Sequence, residues 1–163
     1  MKAIILSAGY GSRLGNLTKE LPKSLVDING KSIIKRQIET FRNNGIKDII
    51  VIVGPNKDKF QLNDIEYVVD KNFHEHEQLG SLMVANKHFQ NDIVISFGDV
   101  IVDDNIMKQV IESTYDIGVA IDLKWEKNYE NRTQHPKSEA DLALIRSNKL
   151  IKIKKNLDSV ENR

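Results

Sequence analysis

KAIILSAGYGSRL, residues 2–14, decides how the chain is read. Lys2 to Leu6 is a short, continuously apolar run, the pattern of a strand covered on both faces by helices, as in a parallel sheet. The run passes straight into a turn in which Ala8, Gly9, Gly11 and Ser12 keep side chains small enough for backbone N–H groups to approach an anion. Such a turn can cradle phosphates. Arg13 follows at once, and Lys23 comes behind Pro22, so two cations flank the turn across a segment stiffened by proline. The string is not the GxxxxGK pattern followed by Ser or Thr, and Leu14 stands where the third glycine of GxGxxG belongs. Taken alone, a glycine pair after a strand is equally an ordinary βα turn with surface cations.

Outward from this stretch, apolar runs and helical patterns alternate. Ser32 is placed to cap a helix carrying Ile33, Ile34, Ile38 and Phe41 on one face, with Gly45 as its C-terminal stop. Asp48 to Val53 is a second apolar strand, completing a βαβ unit. Further strands are expected at Ile65 to Val69, Ile93 to Ser96 and Ile117 to Leu123, with helices over residues 80–88 and Asn105 to Glu112. After a polar stretch from Lys124 to Glu139, Asp141 to Ile145 and Leu150 to Ile153 suit a hairpin turning at Ser147 and Asn148. The fold class expected is three-layer α/β/α on a mostly parallel sheet, in one domain over residues 1–163.

Composition narrows the partners. Lys plus Arg number 24 against 23 Asp plus Glu, so the broad basic field that nucleic-acid binding normally needs is lacking, and small molecules are the expected ligands. Cysteine is absent, which excludes disulfide frameworks and Cys-rich zinc sites. The opening apolar run is too short for a signal or membrane segment, so a cytoplasmic location without membrane attachment is the default expectation.

LSAGYGSRL (Leu6 to Leu14), followed by LPKSLVDINGKSII (Leu21 to Ile34), resembles the signature of the Rossmann-like, GT-A-like nucleotidyltransferases that make sugar nucleotides and CDP-linked alcohols. The resemblance continues through EQLGSLMVAN (Glu77 to Asn86) and SFGDV (Ser96 to Val100). Within that family, GSLMVAN, WEKNYENR and SEADLALI are most similar to the choline-phosphate and phosphonate cytidylyltransferases. The resemblance implies transfer of a nucleoside monophosphate, CMP from CTP, to a small phosphorylated or phosphonate acceptor, with Mg2+ as cofactor and pyrophosphate released. A sugar 1-phosphate is the alternative acceptor.

By the same resemblance, Leu6, Ala8, Gly9, Gly11 and Ser12 contact the nucleotide, and Gln78, Gly80 and Ser81 contact its base. Arg13, Lys23 and Asp99 become the catalytic residues, with Asp99 also the metal ligand. The chemistry fits these residue types. The nucleophile is already an anion and needs no general base, so the catalyst must hold two negative reactants together and offset charge on the leaving oxygens. Asp99 lies beyond a buried strand, where ligands gather in open α/β sheets, and a carboxylate suits Mg2+. An aspartate after a strand also commonly caps the next helix or turn, a role that suits Asp103 and Asp104 better. Ser81, read without the resemblance, is a helix cap.

Trp125 and Tyr129, four apart beside Glu126 and Glu130, suggest an aromatic and acidic wall for an amine-bearing acceptor, against packing of the single Trp under a loop. Lys155, with Lys154, resembles a family lysine near the phosphates, although charged strand ends usually face solvent. His74-Glu75-His76-Glu77 does not form HExxH and reads as a solvated loop. Family members continue to later strands that bring a second metal-binding aspartate, whereas this sequence stops at Arg163. Asp122 and Asp141 have no motif to support them as substitutes. The expectation is a chain lacking the family's C-terminal portion, with exposed sheet edge favouring self-association into a homo-oligomer. Two other classes stay open: a nucleotide-binding module without turnover, and a dinucleotide-dependent oxidoreductase.

Overall fold

The computed structural model describes residues 1–9, 11, 15, 21–133 and 136–155, and they divide into two compact units, Met1–Asp116 and Ile117–Arg163. In the first unit β1 (Lys2–Ser7) leads to a small ribbon, β2 (Asp27–Ile28) and β3 (Lys31–Ser32), then α1 (Ile33–Asn43) and β4 (Ile49–Val53). β5 (Glu66–Val69), α2 (Gln78–Met83), β6 (Ile93–Phe97) and α3 (Asp104–Ile111) complete it. The central sheet has the order β5-β4-β1-β6, and every pairing in it is parallel.

Because successive residues of a strand face opposite sides, the apolar runs of β1 and β4 serve two cores. Ala3, Ile5, Val51, Val53 and Val94 face α1 and α3, packing with Ile34, Ile38, Phe41 and Met107. Ile4, Ile50 and Ile52 face the opposite side, where Ala85 and Leu82 of the α2 region cover them. This is the expected three-layer α/β/α arrangement on a parallel sheet.

α1 keeps the face expected of it, burying Ile33, Ile34, Ile38 and Phe41. Ser32 holds its N-cap position, yet the hydroxyl makes no cap hydrogen bond and is buried without a partner among the described residues. At the other end Gly45 has φ +82°, and the Gly45 and Ile46 N–H groups donate to the Arg42 and Phe41 carbonyls. That is a Schellman stop, closed by the buried Ile46 packing in the same cluster as Phe41. The polar residue on this face is Gln37, which is 3% exposed. Its Nε2 donates to the Phe97 carbonyl at 2.9 Å and its Oε1 accepts from Ser96 Oγ at 3.0 Å, so α1 grips the C-terminal end of β6. Gln37→Ala strips a buried carbonyl and hydroxyl of a partner, and the expected loss is about 1–3 kcal/mol. Urea unfolding reads it as a lowered midpoint with unchanged slope; an unchanged midpoint would show that water replaces the amide.

Two expectations fail. Residues 117–123 form no strand: a strand needs a neighbour for its backbone groups, and none of the described residues pairs with this run. Ile117 is 89% and Leu123 83% exposed, so the alternating side chains have no surface to bury against. The helix expected over 80–88 instead starts at Gln78 and ends at Met83, followed by a separate 3-10 turn at Asn86–His88. Ser81 therefore lies inside α2 rather than capping it, the N-cap position being Glu77.

In the second unit α4 (Trp125–Asn128) precedes β7 (Asp141–Arg146) and β8 (Lys149–Lys155), an antiparallel hairpin turning through Ser147 and Asn148, both at positive φ. Among the described residues, no helix is long and apolar enough to cross a membrane.

Candidate functional site

The C-terminal ends of β1, β4 and β6 lie side by side, and the chain leaving each one turns over the same edge of the sheet. Such edges are where open α/β sheets bind ligands. Ser7, Ala8 and Gly9 leave β1 here, and with Pro22, Gly54 and Pro55 they line a shallow cleft. A Cβ built on Gly54 would lie 2.5 Å from the Ala8 carbonyl oxygen, so the absence of a side chain after β4 lets the turn come down onto the strand end. A Cβ on Gly9 meets none of the described residues within 4 Å.

A second close approach brings the charged pair together. The Gly98 N–H donates to the Leu6 carbonyl at 2.8 Å, and a Cβ on Gly98 would stand 3.1 Å from Ser7 Oγ and 3.2 Å from Ser24 Cβ. Ser24 is itself buried, with its Oγ 2.6 Å from Ser7 Oγ. The neighbours of these two contact residues are Lys23 and Asp99, and they meet as an ion pair, Lys23 Nζ to Asp99 Oδ2 at 2.5 Å. Lys23 opens a 3-10 turn behind Pro22, while Asp99 sits two residues beyond β6. Both side chains are partly exposed, 34% and 40%, so the pair is open to ligand and solvent. Asp99 caps no helix; Asp103 does, its Oδ1 accepting from the Asn105 N–H at 2.7 Å. Asp104 accepts from the side chains of Asn43 and Asn44.

Leu6, Ala8 and Leu82 pack against one buried cluster that contains Ile4 of β1 and Ala85, which sets α2 and the turn that follows it on the same side of the sheet. Gln78 is exposed at the start of α2. Ser81 is buried, and its hydroxyl donates to Asp70 Oδ2 at 2.6 Å. At Gly80 the space for a Cβ is filled by His76, whose Cβ, Cγ and Cδ2 stand 3.0–3.2 Å away, an intramolecular reason for glycine at this position. Gly11 has φ +66°. Ser12 and Arg13 lie outside the described residues.

Asp70, one residue beyond β5, was not anticipated. It is 1% exposed, and burial pushes its carboxyl up. Hydrogen bonds from Ser81, His76 and the Asn72 N–H, with the charge attraction of His76, outweigh burial and hold it below its ordinary value of 3.8. The sequence did hold a signal, since an aspartate closing an apolar strand is the same pattern that singled out Asp99. The stretch around His76 is thus more than a solvated loop: His76 Nδ1 lies 3.0 Å from Asp70 Oδ1, while His74 is exposed beside Glu75.

In the second unit, Trp125 and Tyr129 pack edge to face with centroids 5.4 Å apart. Arg132 occupies the Tyr129 face at 4.6 Å, the position a ligand cation would take. Asp122 accepts from the Lys124 N–H and the Asn128 side chain, bracing α4. Asp141 pairs in register with Lys155, whose Nζ donates to Glu139 at 2.8 Å. Among the described residues, no three His, Asp or Glu side chains converge as a metal cluster.

Residues 3–136 match the MobA-like NTP transferase domain family. The chain is 28% identical to the CTP:phosphoglutamine cytidylyltransferase of Campylobacter jejuni, over 99% of its own length and 68% of the relative's. It is 35% identical to the choline-phosphate cytidylyltransferase of Streptococcus pneumoniae, over 71% of this chain and 52% of that protein. It is also 34% identical to the bifunctional sugar-1-phosphate nucleotidylyltransferase/acetyltransferase of Sulfurisphaera tokodaii, over 94% of this chain and 36% of that protein. Among solved structures, the inositol-1-phosphate CTP transferase of T. maritima aligns over 97% of this chain and 65% of its own, with TM-score 0.76 and 21% identity, a likeness of fold. The chain thus spans roughly a third to two thirds of the length of these proteins.

Proposed function

The chain belongs to the MobA-like NTP transferase domain family, and we propose that within it the protein transfers CMP from CTP to a small phosphorylated or phosphonate acceptor, releasing pyrophosphate. The observation that carries this reading is the Lys23–Asp99 pair, held at the ligand-binding edge of the sheet beside the small-residue turn of Ala8 and Gly9. An ammonium and a carboxylate in contact there suit a polyanionic substrate that arrives with a cation. Lys23 bears on the α-phosphate, Arg13 on the β and γ groups, and the backbone N–H groups of Ala8, Gly9, Gly11 and Ser12 donate to phosphate oxygens.

Mg2+ fits Asp99, an exposed hard oxygen donor already facing a cation, because Mg2+ is commonly held by one or two carboxylates together with substrate phosphates and water. Bound there, it would offset charge on the phosphate oxygens. Lys23 then holds the reacting phosphorus in line with the acceptor oxygen, and the P–O bond to pyrophosphate breaks as the new one forms. Two cytidylyltransferases among the relatives favour CTP, whereas the sugar-1-phosphate relatives favour a sugar phosphate as the second reading of the acceptor. In the second unit, Trp125, Tyr129 and Lys155 are candidates for contacting an amine-bearing or phosphorylated acceptor, with Arg132 on the Tyr129 face and Glu139 on Lys155 as the groups such a ligand would displace.

Pyrophosphate release tests the reading, with CTP, UTP, dTTP, ATP and GTP each paired with phosphocholine, aminoethylphosphonate and several sugar phosphates in the presence of Mg2+. Release with CTP and one of the first two acceptors is expected. Saturable nucleotide binding without release from any pair replaces the enzyme with a binding module.

A further inference from the structure

The segment joining β5 to α2 holds a buried carboxylate that the proposed reaction does not use. Asp70 continues the strand by one residue, its N–H donating to the Val53 carbonyl at 2.8 Å. A buried carboxylate is costly unless donors surround it, and among the described residues its donors come from the segment that Asp70 itself begins. The Asn72 N–H reaches Oδ1 at 3.1 Å, His76 Nδ1 lies 3.0 Å from Oδ1 and 3.1 Å from Oδ2, and Ser81 Oγ donates to Oδ2 at 2.6 Å. An ionised carboxylate only accepts, so His76 carries its proton on Nδ1.

These bonds tie three points of one short segment to a fixed centre: the first turn, the approach to α2, and α2 itself. Held in this way, the His76 side chain fills the space above Gly80. Phe73, from the same segment, would lie 3.5 Å from a Cβ on Gly54, the residue against which the Ala8 carbonyl rests. The segment therefore reaches from Asp70 to the edge of the small-residue turn through Phe73, and further along it Gln78 is exposed.

We propose that Asp70 is a positioning residue for base discrimination: through His76 and Ser81 it fixes where the Gln78–Gly80 backbone stands, and so which nucleobase the protein accepts. The inference rests on the nucleotidyltransferase reading, in which residues 78–81 border the base. Charge-assisted hydrogen bonds in a buried setting give the stiffness that selection between similar bases requires.

Asp70→Asn keeps the size of the side chain, and the amide, the Ser81 hydroxyl and the His76 ring can exchange donor and acceptor roles, so the fold survives while the geometry loosens. His76→Ala, at a partly exposed position, gives a second variant that leaves Asp70 with Ser81 and Asn72. Calorimetric titration with CTP, UTP, dTTP and ATP in Mg2+ measures discrimination, inorganic tripolyphosphate reports on the phosphate turn alone, and thermal melting reports on folding. In both variants the preference for the best nucleotide over the next is expected to fall about tenfold, with tripolyphosphate affinity kept. Equal weakening of all nucleotides and tripolyphosphate reduces Asp70 to a structural role and overturns the proposal, as does unchanged discrimination. Wild-type protein that binds none of the four nucleotides defeats the nucleotidyltransferase reading, and the proposal with it; binding by wild type with unaltered variants defeats the proposal alone.

Discussion

Asp99→Asn is expected to lower metal-dependent pyrophosphate release by about 10²–10³-fold while the protein melts close to wild type. The carboxylate is partly exposed and its ion pair with Lys23 stands at the surface of the site. A pair of that kind contributes about 0.2–1 kcal/mol to stability, so the loss falls on chemistry. Lys23→Ala should reduce turnover comparably, but the two variants part when metal is titrated without nucleotide. Mn2+, as a probe of the divalent site, should bind Lys23→Ala more tightly than wild type, because the ammonium now 2.5 Å from Asp99 competes for the same carboxylate. Asp99→Asn should lose that binding. Turnover of Asp99→Asn within threefold of wild type would remove Asp99 from the reaction.

The apolar runs made much of this fold legible. β1, β4 and β6 are each a few residues of Ile, Val and Ala between turn residues, and α1 shows its stripe at Ile34, Ile38 and Phe41 with a glycine stop. The ribbon of β2 and β3 was overlooked although Asn29-Gly30, both at positive φ, supplies the hairpin turn dipeptide. Ile117 to Leu123 misled because alternation describes a strand's side chains and says nothing of whether another strand is there to take its hydrogen bonds. The site divides in the same way. Lys23 and Asp99 stand out as charges beside strand ends, but their meeting depends on Gly98 lying against Ser7 and Ser24, segments far apart in sequence. Gln37 reads as an unremarkable polar residue in a helix until β6 is packed against it. Contacts that the tertiary fold creates leave no local pattern to read.

Gly54 is such a contact, and Gly54→Ala is expected to cost both stability and binding. The added methyl would stand 2.5 Å from the Ala8 carbonyl oxygen and 3.4 Å from its carbon. A backbone carbonyl cannot swing aside as a side-chain tip does, and Ser7 and Val53 just before the two residues are held in register by strand pairing. The turn must therefore lift from the strand end, at an overpacking cost of about 1–3 kcal/mol. A displacement of the phosphate turn by about 1 Å is expected to lower turnover about 10²-fold. Gly9→Ala separates the two effects. Its Cβ meets none of the described residues within 4 Å, so the variant should melt close to wild type, while a ligand approaching the turn meets the methyl. Calorimetry with CTP and Mg2+ should then find both variants weakened, with Gly54→Ala alone less stable. Should Gly9→Ala bind CTP as wild type does, phosphate does not approach that side of the turn; should Gly54→Ala keep both its melting point and its affinity, the tight seat of Ala8 is not what shapes the cleft.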